Sequence, residues 1–282
     1  MLIGVVGLGL IGASMSLALK GLGHTVLGMD TDEHTLKYAV LSGAVSREMT
    51  EADWPELEML FLAVYPEAAV ETLTRMAPKL RKDMLAADLC GVKRVVCTPC
   101  FALAAEYGFT FIGGHPMAGK QFSGIKYASE DLFRGASMIL TPREGEDLFR
   151  VSRLSELMHA VGFAAVTVTT PAEHDRMIAF TSQLAHVVAN AYVKSPTARD
   201  LKHFGGGSYR DMTRVAWLNE DMWTELFLEN RQELAHELDT LIGELGKYRE
   251  ALEAGDGERL RTLLREGRKR KEELDAEWKK ST

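Results

Sequence analysis

Long hydrophobic runs and a charged, cleavable leader are missing from this chain of 282 residues. No apolar stretch reaches the ~20 residues that a membrane-spanning helix requires, so we expect no membrane insertion. The first residues predict a β-strand rather than the charged segment and cleavage site of a signal peptide. The predicted compartment is therefore the cytoplasm.

Cysteine and clustered basic charge are also scarce. Three cysteines are too few for a disulfide framework. Cys97 and Cys100 form a C-x-x-C pair, but only Cys90 is left as a further thiol, so a zinc or redox site is not expected. Thr98 and Pro99 instead resemble the start of a helix. The net charge is −7 and no basic stripe indicates nucleic acid, whereas 46% hydrophobic and 26% charged residues are typical of a globular enzyme.

A glycine-rich turn near the N-terminus carries the first functional motif. Leu2–Val6 predicts a buried strand, and apolar spacing over 15–22 predicts a helix. The sequence GLGLIG at 7–12 lies between them, which is the context that a dinucleotide-binding fingerprint requires. Its glycines permit the turn, the approach of a pyrophosphate and close packing of the helix. The helix N-terminus would present free N–H groups to the phosphate.

An acidic residue follows the glycines at the expected distance. A second predicted strand, 24–29, ends in Asp30. A carboxylate about twenty residues after the glycines binds the ribose hydroxyls and would repel a 2′-phosphate, so NAD is favoured over NADP. Asp32 lies close enough to share or take this role. A glycine-rich turn without a ligand is the alternative interpretation. The predicted cofactor-binding residues are Gly7, Leu8, Gly9, Leu10, Ile11, Gly12, Asp30 and Asp88.

Strand and helix patterns alternate through the first 170 residues. Further strands are predicted at 59–64, 85–89, 109–113, 137–140 and 164–168. Helical patterns separate most of them, which predicts an α/β Rossmann domain with a doubly wound, mostly parallel sheet. Ligands of such sheets bind at the carboxyl ends of the strands. Asp88 and His115 lie at or just past such ends, so we expect both at one cleft.

After residue 170 the strand signals stop. Helical patterns cover 172–192, 211–218, 221–250 and 257–278. We therefore predict two domains, a dinucleotide-binding Rossmann domain at 1–170 and an all-helical domain at 171–282. An apolar stripe at helical spacing fits either internal packing or a homodimer interface. Its residues are Leu226, Leu234, Leu238, Leu241 and Leu245.

Five segments together give the chain a family resemblance. They are the fingerprint at 7–12, DLCGVK at 88–93, GGHPMAG at 113–119 with Ser123-Gly124, His174-Asp175 leading to SQLAH at 182–186, and GGGSYRDMTR at 205–214 followed by Trp223 and Asn230. In this order the chain resembles the prephenate dehydrogenase family, which includes arogenate and cyclohexadienyl dehydrogenases. The resemblance implies NAD(P)-dependent oxidative decarboxylation of prephenate, or alternatively of arogenate, in tyrosine biosynthesis. It also implies a C-terminal helical dimerisation domain and a homodimer.

The resemblance implies roles for individual residues. His115 matches the catalytic histidine, and a base whose pKa is near neutrality suits removal of a hydroxyl proton. Arg214 matches the substrate arginine, whose planar guanidinium can hold a carboxylate with two hydrogen bonds. Ser182 and His186 lie four residues apart on one helix face, where they would bond the substrate or line the cleft. Gly114 completes the predicted substrate-binding residues.

One position departs from the family pattern. Gly91 stands where members usually carry a serine that supports the catalytic histidine or the substrate hydroxyl. Cys90, a backbone N–H or a water molecule would then substitute, or His115 would act with less help. We expect neither a chorismate mutase segment nor a regulatory domain of βαββαβ type, so any feedback by tyrosine would act at the active site.

Other functions remain as alternatives. A related β-hydroxyacid dehydrogenase would share the Rossmann half and the helical tail, but it would use a lysine on the helical domain as its acid or base. Lys194 and Lys202 lie outside any comparable motif. A non-catalytic NAD sensor would not need the base His115. A purely structural dimer module would not need the Rossmann half.

Overall fold

A computed structural model describes residues 1–120 and 122–281 of the chain. The strands are β1 Leu2–Val6, β2 Thr25–Met29, β3 Arg47–Glu48, β4 Met59–Leu62, β5 Leu85–Asp88, β6 Thr110–Pro116, β7 Ser137–Pro142 and β8 Ala165–Val168. The helices are α1 Leu10–Gly21, α2 Glu33–Leu41, α3 Pro66–Met76, α4 Arg94–Tyr107, α5 Leu148–Val161, α6 Pro171–Ile178, α7 Leu184–Tyr192, α8 Gly207–Thr213, α9 Glu220–Glu229, α10 Arg231–Glu253 and α11 Gly257–Ser281.

One sheet of eight strands organises the first part of the chain, in the order β3-β2-β1-β4-β5-β6-β7-β8. Neighbouring strands are parallel except β6 and β7, which are antiparallel. The chain runs outward from β1 to β3 and, from β4 onward, in the opposite direction. Such a reversal creates a crevice at the carboxyl ends of β1 and β4, where ligands bind. The predicted doubly wound, mostly parallel sheet is confirmed.

Apolar side chains cover both faces of this sheet. Successive residues of a strand point to opposite faces, and in β4 Phe61 packs into one core while Leu60 and Leu62 pack into the other. Met15 of α1 belongs to the first core and Leu73 of α3 to the second. Because both faces are buried, the strands have nearly continuous apolar sequences, which is why they were predictable.

Two element boundaries differ from the prediction and bear on the site. β6 extends to Pro116, and beyond Ile112 it pairs with β7 but no longer with β5. α4 begins at Arg94, so Pro99 lies inside the helix rather than at its start. The early start has a tertiary cause, because the side chain of Asp175 accepts the backbone N–H groups of Lys93 and Arg94.

The part after β8 is helical, as predicted, with two local differences. The predicted helix at 172–192 contains a π-helical turn, Ala179–Gln183, between α6 and α7. Arg214 lies at the C-terminal end of α8 instead of near a helix start. Within the described residues, no helix is long and apolar enough to cross a membrane.

Backbone contacts divide the chain into a unit of residues 1–231 and a unit of residues 232–282. The second unit is a pair of helices, formed by most of α10 and by α11. Ala251 and Leu263 are buried, and Tyr248 of α10 donates a hydrogen bond to the Leu263 carbonyl oxygen of α11 at 3.3 Å. Gly255 in the connection has a φ of +63°. The predicted boundary between residues 170 and 171 stays a prediction.

Candidate active site

The turn between β1 and α1 has the geometry of a phosphate-binding loop. Gly7 has a φ of +83°, and a Cβ on it would collide with the Ala63 carbonyl oxygen. A Cβ on Gly12 would collide with the Gly7 carbonyl oxygen. At Gly9, by contrast, an added Cβ meets nothing within 4 Å. No side chain caps α1, so its first N–H groups are open to an anion. The same segment contains Leu8, Leu10 and Ile11.

The two acidic residues after β2 have different tasks. Asp30 is half-buried and accepts the backbone N–H of Leu8 at 2.7 Å, which places its carboxylate beside the glycine turn. Asp32 caps α2 and accepts the hydroxyl of Thr35 at 2.7 Å. The side chain of Asp32 is therefore engaged in capping α2, whereas the carboxylate of Asp30 lies beside the glycine turn.

A buried ion pair supports the ends of β5 and β6. Asp88 and Lys93 are fully buried and bonded to each other. Burial alone would lower the pKa of Lys93, but attraction to Asp88 raises it. Lys93 Nζ also donates to the Gly114 carbonyl oxygen at 2.7 Å, and the Gly114 N–H donates to Asp88 Oδ1 at 3.2 Å. The other oxygen, Asp88 Oδ2, also accepts the N–H of Cys90 at 2.9 Å.

This arrangement bears on two of the predicted site residues. The sequence predicts cofactor binding at Asp88 and substrate binding at Gly114, and both assignments stay predictions. Both oxygens of Asp88 and both backbone polar groups of Gly114 have hydrogen-bond partners inside the protein. An added Cβ on Gly114 would meet the Asp88 carbonyl oxygen at 2.5 Å, so packing requires glycine here. The two residues hold the strand end that carries His115.

A chain of hydrogen bonds reaches His115 from the N-terminus of α4. His115 Nδ1 lies 2.8 Å from His174 Nε2. His174 Nδ1 lies 2.7 Å from Asp175 Oδ1. Asp175 in turn accepts the backbone N–H groups of Lys93 at 2.7 Å and Arg94 at 2.9 Å. The side chains of β6, α6 and α4 thus form one polar network behind the partly exposed imidazole of His115.

The charges of this network follow from its surroundings. Burial, together with the nearby His174 and the Lys93 cation, lowers the pKa of His115 well below its usual value. Burial also lowers the pKa of His174. For Asp175 burial acts in the raising direction, but hydrogen bonds from His174 and from backbone N–H groups bring the pKa below its usual value. At neutral pH the network therefore holds two neutral imidazoles and one carboxylate. A neutral imidazole in this position can accept a proton.

A second cluster surrounds His186. Its Nδ1 donates to the Ser182 carbonyl oxygen at 2.8 Å, and Ser182 lies in the π-helical turn. The imidazole packs on the Trp223 ring with 4.0 Å between centroids. Burial lowers the pKa of His186, and the positive charge of Arg214 lowers it further. Arg214 is itself exposed, so a neutral imidazole and an accessible guanidinium face the same region.

Helix α9 lies against both parts of the site. Trp223 of this helix contacts His186, and Leu226 lies beside Gly91 in the loop after β5. A Cβ on Gly91 would approach Leu226 Cδ2 to 3.3 Å, so the leucine occupies the space that a side chain would need. Cys90 does not replace the family serine, because it is buried and its Sγ donates to the Val64 carbonyl oxygen at 3.3 Å.

The sequence did not assign roles to several residues that organise the site. Asn230 Nδ2 donates to the Asp175 carbonyl oxygen and to Gln183 Oε1, both at 2.8 Å. His174 and Asp175 were noted only as part of a family segment. The side chain of Thr170 caps the start of α6 as a hydrogen-bond acceptor. A threonine followed by proline is a sequence signal for a helix start, and it would have predicted that this His-Asp pair lies in the first turns of a helix.

Fold and site together define a class, a Rossmann-type dehydrogenase with a neutral, hydrogen-bonded histidine at the carboxyl ends of the strands. Comparison with known families makes the class specific. The family model "Prephenate dehydrogenase, nucleotide-binding domain" matches residues 14–167, and "Prephenate dehydrogenase, dimerization domain" matches residues 170–266. The chain belongs to the prephenate dehydrogenase family.

Individual relatives agree with this membership. Prephenate dehydrogenase of Bacillus subtilis (strain 168) is 31% identical over 265 residues, which are 90% of this chain and 71% of that protein. The crystal structure of Synechocystis arogenate dehydrogenase is 28% identical with a TM-score of 0.82, over 97% of this chain and 100% of that one. The crystal structure of prephenate dehydrogenase from A. aeolicus in complex with hydroxyphenyl propionate and NAD+ is 26% identical with a TM-score of 0.83, over 97% and 98% of the two chains.

Proposed function

We propose that this chain catalyses the NAD-dependent oxidative decarboxylation of prephenate to 4-hydroxyphenylpyruvate, a step of tyrosine biosynthesis. The observation that carries the proposal is a neutral, carboxylate-linked histidine, His115, at the same sheet edge as a phosphate-binding glycine turn. The A. aeolicus relative binds NAD+ together with an aromatic acid, which supports the cofactor and the kind of substrate.

The glycine turn and Asp30 would hold the cofactor. Open space at Gly9 and the uncapped N-terminus of α1 fit a pyrophosphate. Asp30 lies beside this turn, where its carboxylate would accept hydrogen bonds from ribose hydroxyls and repel a 2′-phosphate. When bound, NAD supplies the acceptor for a hydride from the carbinol carbon of the substrate ring.

The remaining chemistry falls to the protein's side chains. His115 takes the proton of the ring hydroxyl as the carbinol carbon is oxidised. The ring carboxylate leaves as carbon dioxide, and the electron pair of the broken C–C bond completes the aromatic ring. Arg214 holds a carboxylate of the substrate through two hydrogen bonds. His186 and Ser182 line the cleft beside it.

One assay tests the proposal. Purified protein is incubated with NAD and either prephenate or arogenate, and NADH formation is followed with product identification. We expect 4-hydroxyphenylpyruvate from prephenate. Turnover of arogenate alone would establish the alternative substrate, which the Synechocystis relative supports by its name. If neither substrate is turned over, the proposal is wrong, and a β-hydroxyacid dehydrogenase or an NAD sensor would be the alternative.

A homodimer in the cytoplasm completes the proposal. The helices of the second unit expose large apolar side chains, which typically mark an interface. These residues are Ile242, Leu245, Leu252, Leu264 and Leu274. The match to a dimerization domain supports the same assembly. Light scattering should give about twice the chain mass of 31.2 kDa, and a monomer at micromolar concentration would contradict it. The cytoplasmic location stays a prediction.

A further inference from the structure

We infer that His174 is a positioning residue that fixes the tautomer of His115, so that His115 Nε2 is the nitrogen that accepts the substrate's proton. The inference rests on the proposed function only for the identity of that proton donor. The tautomer itself is a property of the free protein and can be tested without a substrate.

Asp175 determines where the first proton of the network lies. Its carboxylate accepts the backbone N–H groups of Lys93 and Arg94 at the start of α4, where the helix dipole also favours a negative charge. An ionised carboxylate can only accept hydrogen bonds. The nitrogen that faces it, His174 Nδ1, therefore carries a proton and donates it across the 2.7 Å separation.

The proton on His174 Nδ1 determines the next hydrogen bond. A neutral imidazole has one N–H and one acceptor nitrogen, so His174 Nε2 is the acceptor. His115 Nδ1, 2.8 Å away, must then be the donor. The lone pair of His115 is left on Nε2. An isolated imidazole side chain favours the opposite tautomer, so the arrangement depends on the His174 contact.

Two features keep this arrangement in place. His174 is only 1% exposed, so water does not compete for its nitrogens. Asp175 is held by the start of α4 and, through its carbonyl oxygen, by Asn230 at 2.8 Å. Position 91 is a glycine, so it has no side chain that could orient the imidazole in place of His174.

Charged groups of both signs surround the two imidazoles. Lys93 would oppose a proton on His115, but Lys93 is paired with Asp88. Arg94 lies on the far side of Asp175, 3.3 Å from Oδ2. When His115 takes up a proton, the resulting positive charge is stabilised by Asp175 through the polarised His174.

Nitrogen-15 NMR of the histidine-labelled protein at neutral pH is the direct test. We expect both His115 and His174 to carry the proton on Nδ1. His186, which donates from Nδ1 to a carbonyl oxygen, provides an internal reference for that tautomer. The exposed His34 provides a reference for a solvated imidazole. A His115 protonated on Nε2 would overturn the inference even if prephenate is the substrate.

Two variants test the consequence for turnover. His174→Leu removes the acceptor, and we expect kcat to fall about 10- to 100-fold, the usual contribution of a partner that orients a functional histidine, with NAD affinity unchanged. His174→Gln keeps an amide oxygen that can accept the His115 Nδ1–H, so it should recover most of the loss and preserve the His115 tautomer. Equal loss in both variants, or wild-type kcat in the leucine variant, would show that His174 does not act through His115.

Discussion

His115 and His186 are two neutral histidines whose Nδ1 atoms are both hydrogen-bonded, yet their partners differ. His115 faces an imidazole that leads to a carboxylate, whereas His186 faces a carbonyl oxygen of its own helix. Asp175 is linked to His115 through His174, whereas the positive charge of Arg214 opposes a proton on His186. The first environment fits the proposed base, and the second fits the proposed neutral group that contacts substrate. Two side chains of the same type therefore differ because their neighbours differ.

The largest expected effect on turnover comes from a variant of His115. His115→Asn removes the proton acceptor, so we expect kcat to fall on the order of 10²–10⁴-fold, the usual range for general base catalysis. NAD affinity, measured by fluorescence titration, should be unchanged because the glycine turn is untouched. His34→Asn, at an exposed histidine of α2, is the control. Retention of most activity would place the base elsewhere and remove the contrast between the two histidines.

A variant in the second environment should affect binding. Arg214→Ala should raise KM for prephenate about 10- to 100-fold, because charge-assisted hydrogen bonds contribute about 1.5–3 kcal/mol. Arg214→Lys should recover part of the loss, since a lysine lacks the planar fork. Arg210→Ala, an exposed arginine of the same helix, is the matched control for steady-state kinetics. An unchanged KM would exclude Arg214 from the substrate site.

A third variant lies outside both histidine clusters and tests cofactor preference. Asp30→Ser removes the carboxylate that would repel a 2′-phosphate, so the ratio of kcat/KM for NAD over NADP should fall about tenfold, or 1.4 kcal/mol. Asp32→Ser is the control, because serine can also cap α2 and the substitution should leave the ratio unchanged. A wild-type enzyme that prefers NADP would contradict the assignment of Asp30.

The smallest effect concerns α9, the helix that lies against both clusters. Burial and the neighbouring Glu225 and Glu67 raise the pKa of Glu229 to about 7. A pKa raised on folding favours the folded state at low pH, and this contribution is lost as pH rises from the unfolded value toward 7. Glu229→Gln should therefore raise Tm at pH 8 by a few degrees and have little effect below pH 4.5.

Thermal unfolding at the two pH values measures this difference. Glu71→Gln, at an exposed position of α3, is the matched control and should show no pH-dependent change. A Glu229→Gln variant with the same Tm gain at both pH values would mean that a hydrogen bond, and not charge, limits stability at this position.

Local chemistry explains what the sequence could predict. The glycine turn, its flanking strand and Asp30 lie within 30 residues of the N-terminus, and each depends on its near neighbours. The strands were recognisable because both sheet faces are buried. His115 and Arg214 came from the family resemblance, and their roles stay predictions.

Long-range contacts explain what it could not predict. The His115–His174 bond joins residues 59 positions apart, and no local pattern pairs them. The start of α4 depends on Asp175, more than 80 positions later, so a local capping rule placed the start at Pro99 instead. The burial of Asp88 could not be predicted, because a carboxylate at a strand end is found both in ligand-binding sites and in internal ion pairs.

The π-helical turn at Ala179–Gln183 makes this stretch sensitive to length. Such a turn holds one residue more than an α-helical turn, and each residue rotates a helix by about 100°. A deletion of one codon here would rotate α7 relative to α6 and turn His186 away from Trp223, although every site residue would still be encoded. Substitution of the exposed Thr181 would leave that geometry intact. During divergence of related genes we therefore expect the number of residues in this segment to stay constant.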